Sequence, residues 1–431
     1  MAEVAYTDLP DSQTQQIKKE MTMIKEYKTP TLDSFQTSTR KVTGGQQGFQ
    51  IPFYVSDYGQ NSYLAPGSPN NSFAQPVAPT SKSMWVGLAF AGKAMYADGI
   101  FMDSMDTEAS LINNAKLRRM AIENYMKHMN YYAIGDNYGY GILAVTVSNT
   151  GGTFTGTTAA STVSGQTKGA HRLLKNVVYD IVDESSLAVV GTMTPTVDGI
   201  YSNTVTCTTT GTPNNAGAYI VEQGAFNKVP RGTNYLINNV DRIFQGIDTT
   251  DYAEFNSSFV DLNGSALTSA TINTLKTKVQ IRLNTAGKEF TRICHTTPGQ
   301  YNTLAIQGFG ARQYQAAEGQ ADTSYGYPER YVDGDTMWIC DADYDEDRVA
   351  MRRASDYFMF ELAPFGSVKR DGLTLRQAPG ANDVGADAWF EQVKHYYNLG
   401  FDGGGQPGAG NGASAFVMRS QVVNSQVNVL S

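Results

Sequence analysis

The sequence predicts an α+β protein: a polar N-terminal arm, a long hairpin, one long helix, a β-rich insertion, a mixed helix–strand domain and late return strands. Three observations lead there. Phe49, Ile51, Phe53 and Val55, then Met84, Val86, Leu88 and Phe90, recur at the two-residue period of a strand with one buried face. Residues 107–134 carry apolar side chains at helical spacing. Charged residues make up 17% of the 431, with 42 Gly and 25 Tyr, which suits a loop-rich and strand-rich chain whose polar surface is largely uncharged.

Length allows two or three domains of ~100–200 residues, so a sizeable core needs no staples. Net charge is -8, from 33 Lys+Arg against 41 Asp+Glu, which excludes a dedicated nucleic-acid binder, since phosphate attraction needs clustered cations. The start, MAEVAYTDLPDSQTQQIKKE, lacks a basic stretch leading into an apolar core, and no run of about 18 apolar residues occurs. A soluble product without a signal peptide is expected. Cys207, Cys294 and Cys340 form no CxxC pair, so they read as reduced core thiols rather than as zinc ligands or a disulfide framework.

Taken in order, residues 1–46 are polar, with a possible helix near 12–27 on Ile17, Met21 and Ile24 that Pro30 ends. Too poor in apolar residues for a core, this stretch is a loose tail or an arm laid on a neighbouring surface. Residues 47–92 form a hairpin whose outgoing limb contains Pro52, hence an edge strand. Its tip is a loop of unusual length. The apolar groups Tyr58, Tyr63, Leu64 and Phe73 near that tip, together with Phe49, Ile51, Phe53 and Trp85, are expected to meet a partner surface. In the long helix, Asp106 is the expected N-cap, Leu111, Met120 and Met129 lie on the apolar stripe, and Gly135 follows at the C-terminal cap. Lys116, Arg118, Arg119 and Lys127 form a basic set on the same helix, interleaved with acids and read first as a solvated face.

Residues 143–230 are rich in Thr, Ser and Gly, and read as a β-rich subdomain interrupted by a helix near 170–184 on Leu174, Val177, Val178 and Ile181. Further helices are expected near 234–247 and 268–284. The strand EFTRICHT follows, then a short helix opened by Thr297 and Pro298. Residues 388–401 alternate Val393, His395, Tyr397 and Leu399 as a strand, and AFVMRSQVV closes the chain's regular structure.

Candidate chemistry is sparse. Cys294 and His295 are adjacent on a strand and point to opposite faces, so the thiol and imidazole cannot hydrogen-bond as a nucleophile and its base do. The run Asp341, Asp343, Asp345, Glu346, Asp347 fails as a calcium loop, because Glu346 and Arg352 stand where Gly and Glu are required, and it reads as a solvated acidic turn. Gly308 and Gly310 lack the context of a dinucleotide fingerprint, and GGGQPGAG lacks the Lys and Ser/Thr of a phosphate loop; both read as ordinary turns. No metal, cofactor or catalytic residue is assigned.

The order of parts resembles the major capsid protein of tailed bacteriophages with the HK97-like fold. Its local anchors are AIGDNYGYGI after the helix, FQGIDTTDY (Phe244–Tyr252) and ICHTTPGQYNTL (Ile293–Leu304). The resemblance implies an N-terminal arm (1–46), an extended loop over a neighbouring subunit (47–92), a peripheral domain with the spine helix (93–142) and an insertion (143–230). A linking region (231–259), an axial domain (260–385) and peripheral return strands (386–431) complete it. It implies self-assembly into hexamers and pentamers of an icosahedral virion shell, assembled in the bacterial host cytoplasm, with portal, scaffolding and decoration proteins as partners. Packaged double-stranded DNA would touch the inner surface weakly, with the basic set of the spine helix facing it, and no membrane is involved. A cellular compartment shell of the encapsulin type is the alternative of the same fold; a cysteine hydrolase centred on Cys294 is the enzyme alternative.

Overall fold

One strand of 17 residues, β19 (Gly385–Phe401), organises the main sheet. The computed structural model describes residues 29–40, 48–54, 81–98, 108–150, 153–156, 172–197, 204–211, 218–252, 255–262, 267–283, 292–311, 336–345, 348–368, 375–379, 385–402 and 414–418. Along one edge β19 pairs antiparallel with β17 (Tyr357–Ser367) and β18 (Leu375–Pro379), and along the other with β4 (Ala89–Asp98). The short β1 (Gln36–Thr37) adds to β17 in parallel. Val393, His395, Tyr397 and Leu399 are buried on one face of β19, as their alternation predicts.

Against that face lies the long helix, α2 (Glu108–Ile134), the one expected as the spine. Ile122, Met126, Met129 and Ala133 share one core cluster with Val393, Tyr397 and Leu399. Met120 departs from expectation: it is 59% exposed. Two residues before Ile122, it falls ~200° round the helix from the buried stripe. The side chains of Leu111, Lys116 and Arg118 lie outside the described residues.

The helix ends at Gly135, whose φ of 70 gives the left-handed cap expected of glycine. Beyond it a tight turn closes on one carboxylate. Asp136 is fully buried, and its Oδ1 accepts from the N–H of Tyr138, Gly139 and Tyr140 while Oδ2 accepts from Gly141 and Ile142. Gly139 and Gly141, at φ 72 and 83, turn the backbone so that its N–H groups converge on that one side chain.

The hairpin β2 (Gly48–Tyr54) and β3 (Ser81–Gly87) pairs Phe49 opposite Val86 and Ile51 opposite Met84, and its return limb ends at Gly87, so that Phe90, expected in that limb, lies in β4 instead. Its apolar face corrects the expectation. Phe49, Ile51, Met84 and Val86 are each 1–2% exposed, sunk in the chain's own core, with the Phe49 ring 5.1 Å from Phe360. Each such side chain stabilises by roughly 1.5–3 kcal/mol. Four together outweigh the marginal stability of an isolated two-stranded ribbon, so the root is fixed to its own body.

Residues 29–40 correct the reading of a loose arm in the same way. They carry α1 (Pro30–Asp33), bury Leu32 and Phe35, and close on the body through an Arg40–Asp402 ion pair. The helix expected at 12–27 lies outside the described residues.

The insertion is β-rich as read, and it closes into a barrel. Its strands are β5 (Ala144–Thr150), β6 (Thr153–Gly156), β7 (Tyr179–Val182), β8 (Val189–Pro195), β9 (Thr204–Gly211) and β10 (Tyr219–Glu222). The helix expected at 170–184 is absent there: Tyr179–Val182 is a barrel strand buried at every residue. A strand buried on both faces is a continuous apolar run, which periodicity alone does not separate from a helix. The helix expected at 234–247 lasts one turn, α3 (Thr233–Leu236). The Asn238 side chain accepts from the N–H of Asn239 and Val240 and stops it, and Gln245 and Gly246, both at positive φ, form the turn between β11 (Ile243–Phe244) and β12 (Ile247–Asp248).

A second sheet has the order β13 (Ser258–Asp261), β20 (Ser414–Met418), β16 (Arg348–Arg353), β14 (Arg292–Thr296), β15 (Thr336–Cys340). The helices α4 (Ser269–Leu283) and α5 (Pro298–Ala311) belong with it, both near their predicted places. Gly308 and Gly310 lie inside α5 rather than in a turn. The late strand β20 pairs with β13 and β16, so it joins this sheet and not that of β19.

Candidate assembly site

For a chain without an assigned catalytic centre, the informative sites are the groups that fix its parts together and the surfaces left over. A buried polar junction does the first. Asp341 and Asp345, in the turn after β15, are 2% and 0% exposed. Asp341 Oδ2 accepts from Thr31 Oγ1 at 2.5 Å and from Asn130 Nδ2 at 2.7 Å, tying α1 and α2 to the second sheet. Asp345 receives Arg172 Nη2 at 3.1 Å and Asn234 Nδ2 at 2.5 Å, adding the barrel's approach and α3. Arg348 Nη1 donates to Asn137 Oδ1 at 3.0 Å and its Nη2 to the Ile237 carbonyl.

Asp341 and Asp345 are therefore not part of a solvated turn, while Glu346 and Asp347 of the same run lie outside the described residues. The cationic and amide partners of Asp341 and Asp345 lie 111 to 211 residues away in sequence, which a local reading of like charges does not register. Among the described residues no group of three or more His, Cys, Asp or Glu is arranged to hold a metal ion. Removing one member of such a pair strands the other. Asp345→Ala is expected to cost about 3–5 kcal/mol, while Arg172→Met with Asp345→Leu costs clearly less, because no buried charge is left alone. Urea unfolding of the two variants measures the difference; equal losses contradict it.

Cys294 and His295 sit as the strand geometry predicts. Cys294 packs in an apolar cluster with Leu304, Val349 and Met351, and burial pushes its thiol well above the ordinary range. His295, on the other face, lies between the rings of Phe35 and Tyr344 and accepts from Arg352 Nε at 3.1 Å. Burial and the Arg352 charge pull its imidazole well below its usual value. A neutral thiol and a neutral imidazole on opposite faces make no nucleophile–base pair. Cys207 is buried too, whereas Cys340 is exposed, against the expectation of three core thiols.

A second junction holds barrel to spine. His128 Nδ1 lies 3.1 Å from Glu222 Oε2, and Tyr132 Oη donates to the same oxygen at 2.9 Å. Burial opposes ionisation of Glu222, but the hydrogen bond to His128, its charge and that from Tyr132 outweigh it and hold the carboxyl below its ordinary value. Asp356 goes the other way: burial raises it to about 6, against the opposing pull of Arg353. The folded state then keeps a proton that the unfolded chain releases near pH ~4, so this group's contribution is full below that pH and is lost as pH rises towards about 6. Asp356→Asn is expected to match wild type at pH 4 and to exceed it at pH 7 by up to about 3 kcal/mol, read from denaturant midpoints. Equal stability at both pH values contradicts the shift.

Of the residues predicted to meet a partner, Phe49 and Ile51 are core residues, as described. Trp85 lies on the opposite face of the hairpin and is 36% exposed, while the Lys82 ammonium stands 4.3 Å over the Tyr252 ring. Tyr58, Tyr63, Leu64, Phe73 and the Phe53 side chain lie outside the described residues. On the spine helix Arg119 is exposed and pairs with Glu123 at 3.3 Å, Lys127 is half-buried and Met129 is core.

No protein-family model matches this chain, and no curated protein matches it. Among solved structures it is similar to a chain of the capsid asymmetric unit of Cyanophage A-1(L), at 9% identity and TM-score 0.48, over 91% of this chain and 93% of that one. It is similar to a chain from Mycobacterium phage Bobi, at 9% identity and TM-score 0.42, over 91% and 90%. A virus-like particle from Pyrococcus furiosus aligns at 7% identity and TM-score 0.36, over 93% and 96%.

Proposed function

We propose that this chain is the major structural subunit of an HK97-like icosahedral phage head, assembling as hexamers and pentamers around double-stranded DNA. The observation that carries the reading is the hairpin. Its root is held by four core side chains, yet among the described residues no third strand joins β2 and β3, and Trp85 remains exposed on the outer face. A ribbon seated on its own body by one face, with no further strand on its β2 edge among the described residues, suits a surface supplied by another copy. The order of hairpin, spine helix on a long sheet, and second sheet with its own helices supports the same reading.

The burial of Phe49 and Ile51 narrows the interface. The tip and the Trp85 face contact the neighbour, and the root orients them. The polar junction around Asp341 and Asp345 keeps the two sheets and the spine in fixed relation, so that many weak contacts add coherently across a shell. Scaffolding, portal and decoration proteins are the expected partners, with DNA touched weakly by Arg119, Lys127 and the remaining basic residues of the spine helix. Electron microscopy of the purified protein, with scaffold supplied where needed, is expected to show closed shells or free capsomers. Monomers at every concentration and salt would contradict the proposal.

A further inference from the structure

Among the described residues β4 pairs only with β19, which leaves one edge of the main sheet bare along Ala89–Asp98. Register decides which backbone groups lie on that edge. The Gln392 carbonyl accepts from the Val368 N–H on the side of β17 and β18, so alternation turns Val393 towards β4, where it stands opposite Lys93. Ala91, Lys93 and Met95 therefore bond to β19, and the N–H and C=O groups of Phe90, Gly92 and Ala94 point outwards. Among the described residues no backbone partner meets those three on the outer side. All three are exposed, Phe90 at 51%.

A bare edge invites pairing with another chain, and proteins blunt such edges with proline, bulges, clustered charge or short strands. This one carries none of those defences. It runs ten residues, ~33 Å, without proline, its pairing with β19 shows no register shift, and Lys93 is its one charge before Asp98. Room lies beside it as well. A cavity of about 510 Å³ runs along residues 90–93, walled by Tyr125 and Met129 of α2 and by Gln223 and Gly224 after β10. Lys93 and Lys228 line it with no carboxylate at ion-pair distance among the described residues, since its one acid, Glu222, is engaged by His128 and Tyr132. Burial pulls the Lys93 ammonium below its ordinary value, against the opposing charge of Glu222. An extended chain laid in this gap continues the sheet, and an acidic side chain on it meets the surplus cations.

We propose that the β4 edge receives an added strand from a second copy of this chain, paired to Phe90, Gly92 and Ala94 and carrying an acid beside Lys93. The inference rests on the shell reading, in which copies surround every subunit. A chain with 41 acids against 33 cations brings the counter-charge itself.

Hydrogen exchange resolved to single amides, on dilute subunits and on assembled particles of the full-length protein, tests it. The Phe90, Gly92 and Ala94 amides should slow at least about ten-fold in the particle, whereas Ala91 and Lys93, bonded to β19, are slow in both states. Ala94→Pro removes one outward donor and no β4–β19 bond, so its unfolding midpoint should stay close to wild type while the slowing at Phe90 and Gly92 is lost. Particles whose three outward amides exchange as in the subunit overturn the inference and leave the shell reading standing. Slow exchange of the three in the dilute subunit overturns it too, because the edge is then covered within one chain. Should no particle form under any condition, the shell reading fails, and concentrated protein is compared with dilute: protection that grows with concentration supports the pairing, and unchanged exchange overturns it.

Discussion

Asp136→Ala is expected to remove more stability than any other single surface-neutral change, more than about 4 kcal/mol, because five backbone N–H groups lose one charged acceptor together. Hydrogen bonds to charged groups contribute about 1.5–3 kcal/mol each, and the turn is too buried for water to replace them all. A domain stable by roughly 5–15 kcal/mol would be left marginal or unfolded at 37 °C. Asp136→Asn keeps an oxygen acceptor but puts donors where Oδ2 accepts from Gly141 and Ile142, so it should fall between alanine and wild type. Calorimetry or urea midpoints measure the series. An alanine variant within about 1 kcal/mol of wild type would show that the turn is held otherwise.

The second large effect concerns assembly and leaves folding intact. Deleting residues 59–80 removes the hairpin tip but keeps β2, β3 and the four buried side chains of the root. The subunit should remain soluble, with an unfolding midpoint close to wild type, while shell formation is lost or needs far higher protein concentration. In the shell proposed above, each contact removed would be repeated in every copy, so a modest loss per subunit would multiply across the particle. Shells of unchanged stability from the deletion variant would mean that the tip is no interface.

Much of the architecture was legible where the pattern is local. The two-residue alternation of 49–53 and 84–86 gave both hairpin limbs, though not their register, and the helical spacing of 107–134 gave the long helix. Thr297 and Pro298 marked the start of α5, which runs further than the short helix expected. What failed was local pattern overruled by distant partners. Ile181 and Val182 lie in a strand because the barrel encloses them on both faces, and nothing in their own neighbourhood says so. Asp341 and Asp345 are buried because Arg172, Asn130 and Asn234 come to them from other parts of the chain. Asp136 stood in the quoted turn AIGDNYGYGI, and its spacing to Gly139 and Gly141 was the available signal: an acid followed by two glycines, three and five residues on, is the pattern of a backbone nest closed on a carboxylate.

The hairpin shows the same limit from the other side. Alternation says that one face is buried but not by whom, and here the covering surface is the subunit's own core. The outer face and edges are what remain for a neighbour.

Hydrogen exchange of the β2 and β3 amides, measured in the lone subunit and in purified particles, tests that division most directly. Slow exchange along the outward edge of β2 only after assembly is the result expected here, with the buried root and the Trp85 N–H, already bonded to the Gln245 carbonyl, unchanged between the two states. Equal protection of the whole ribbon in the monomer would contradict it, since a strand partner would then already be present within one chain.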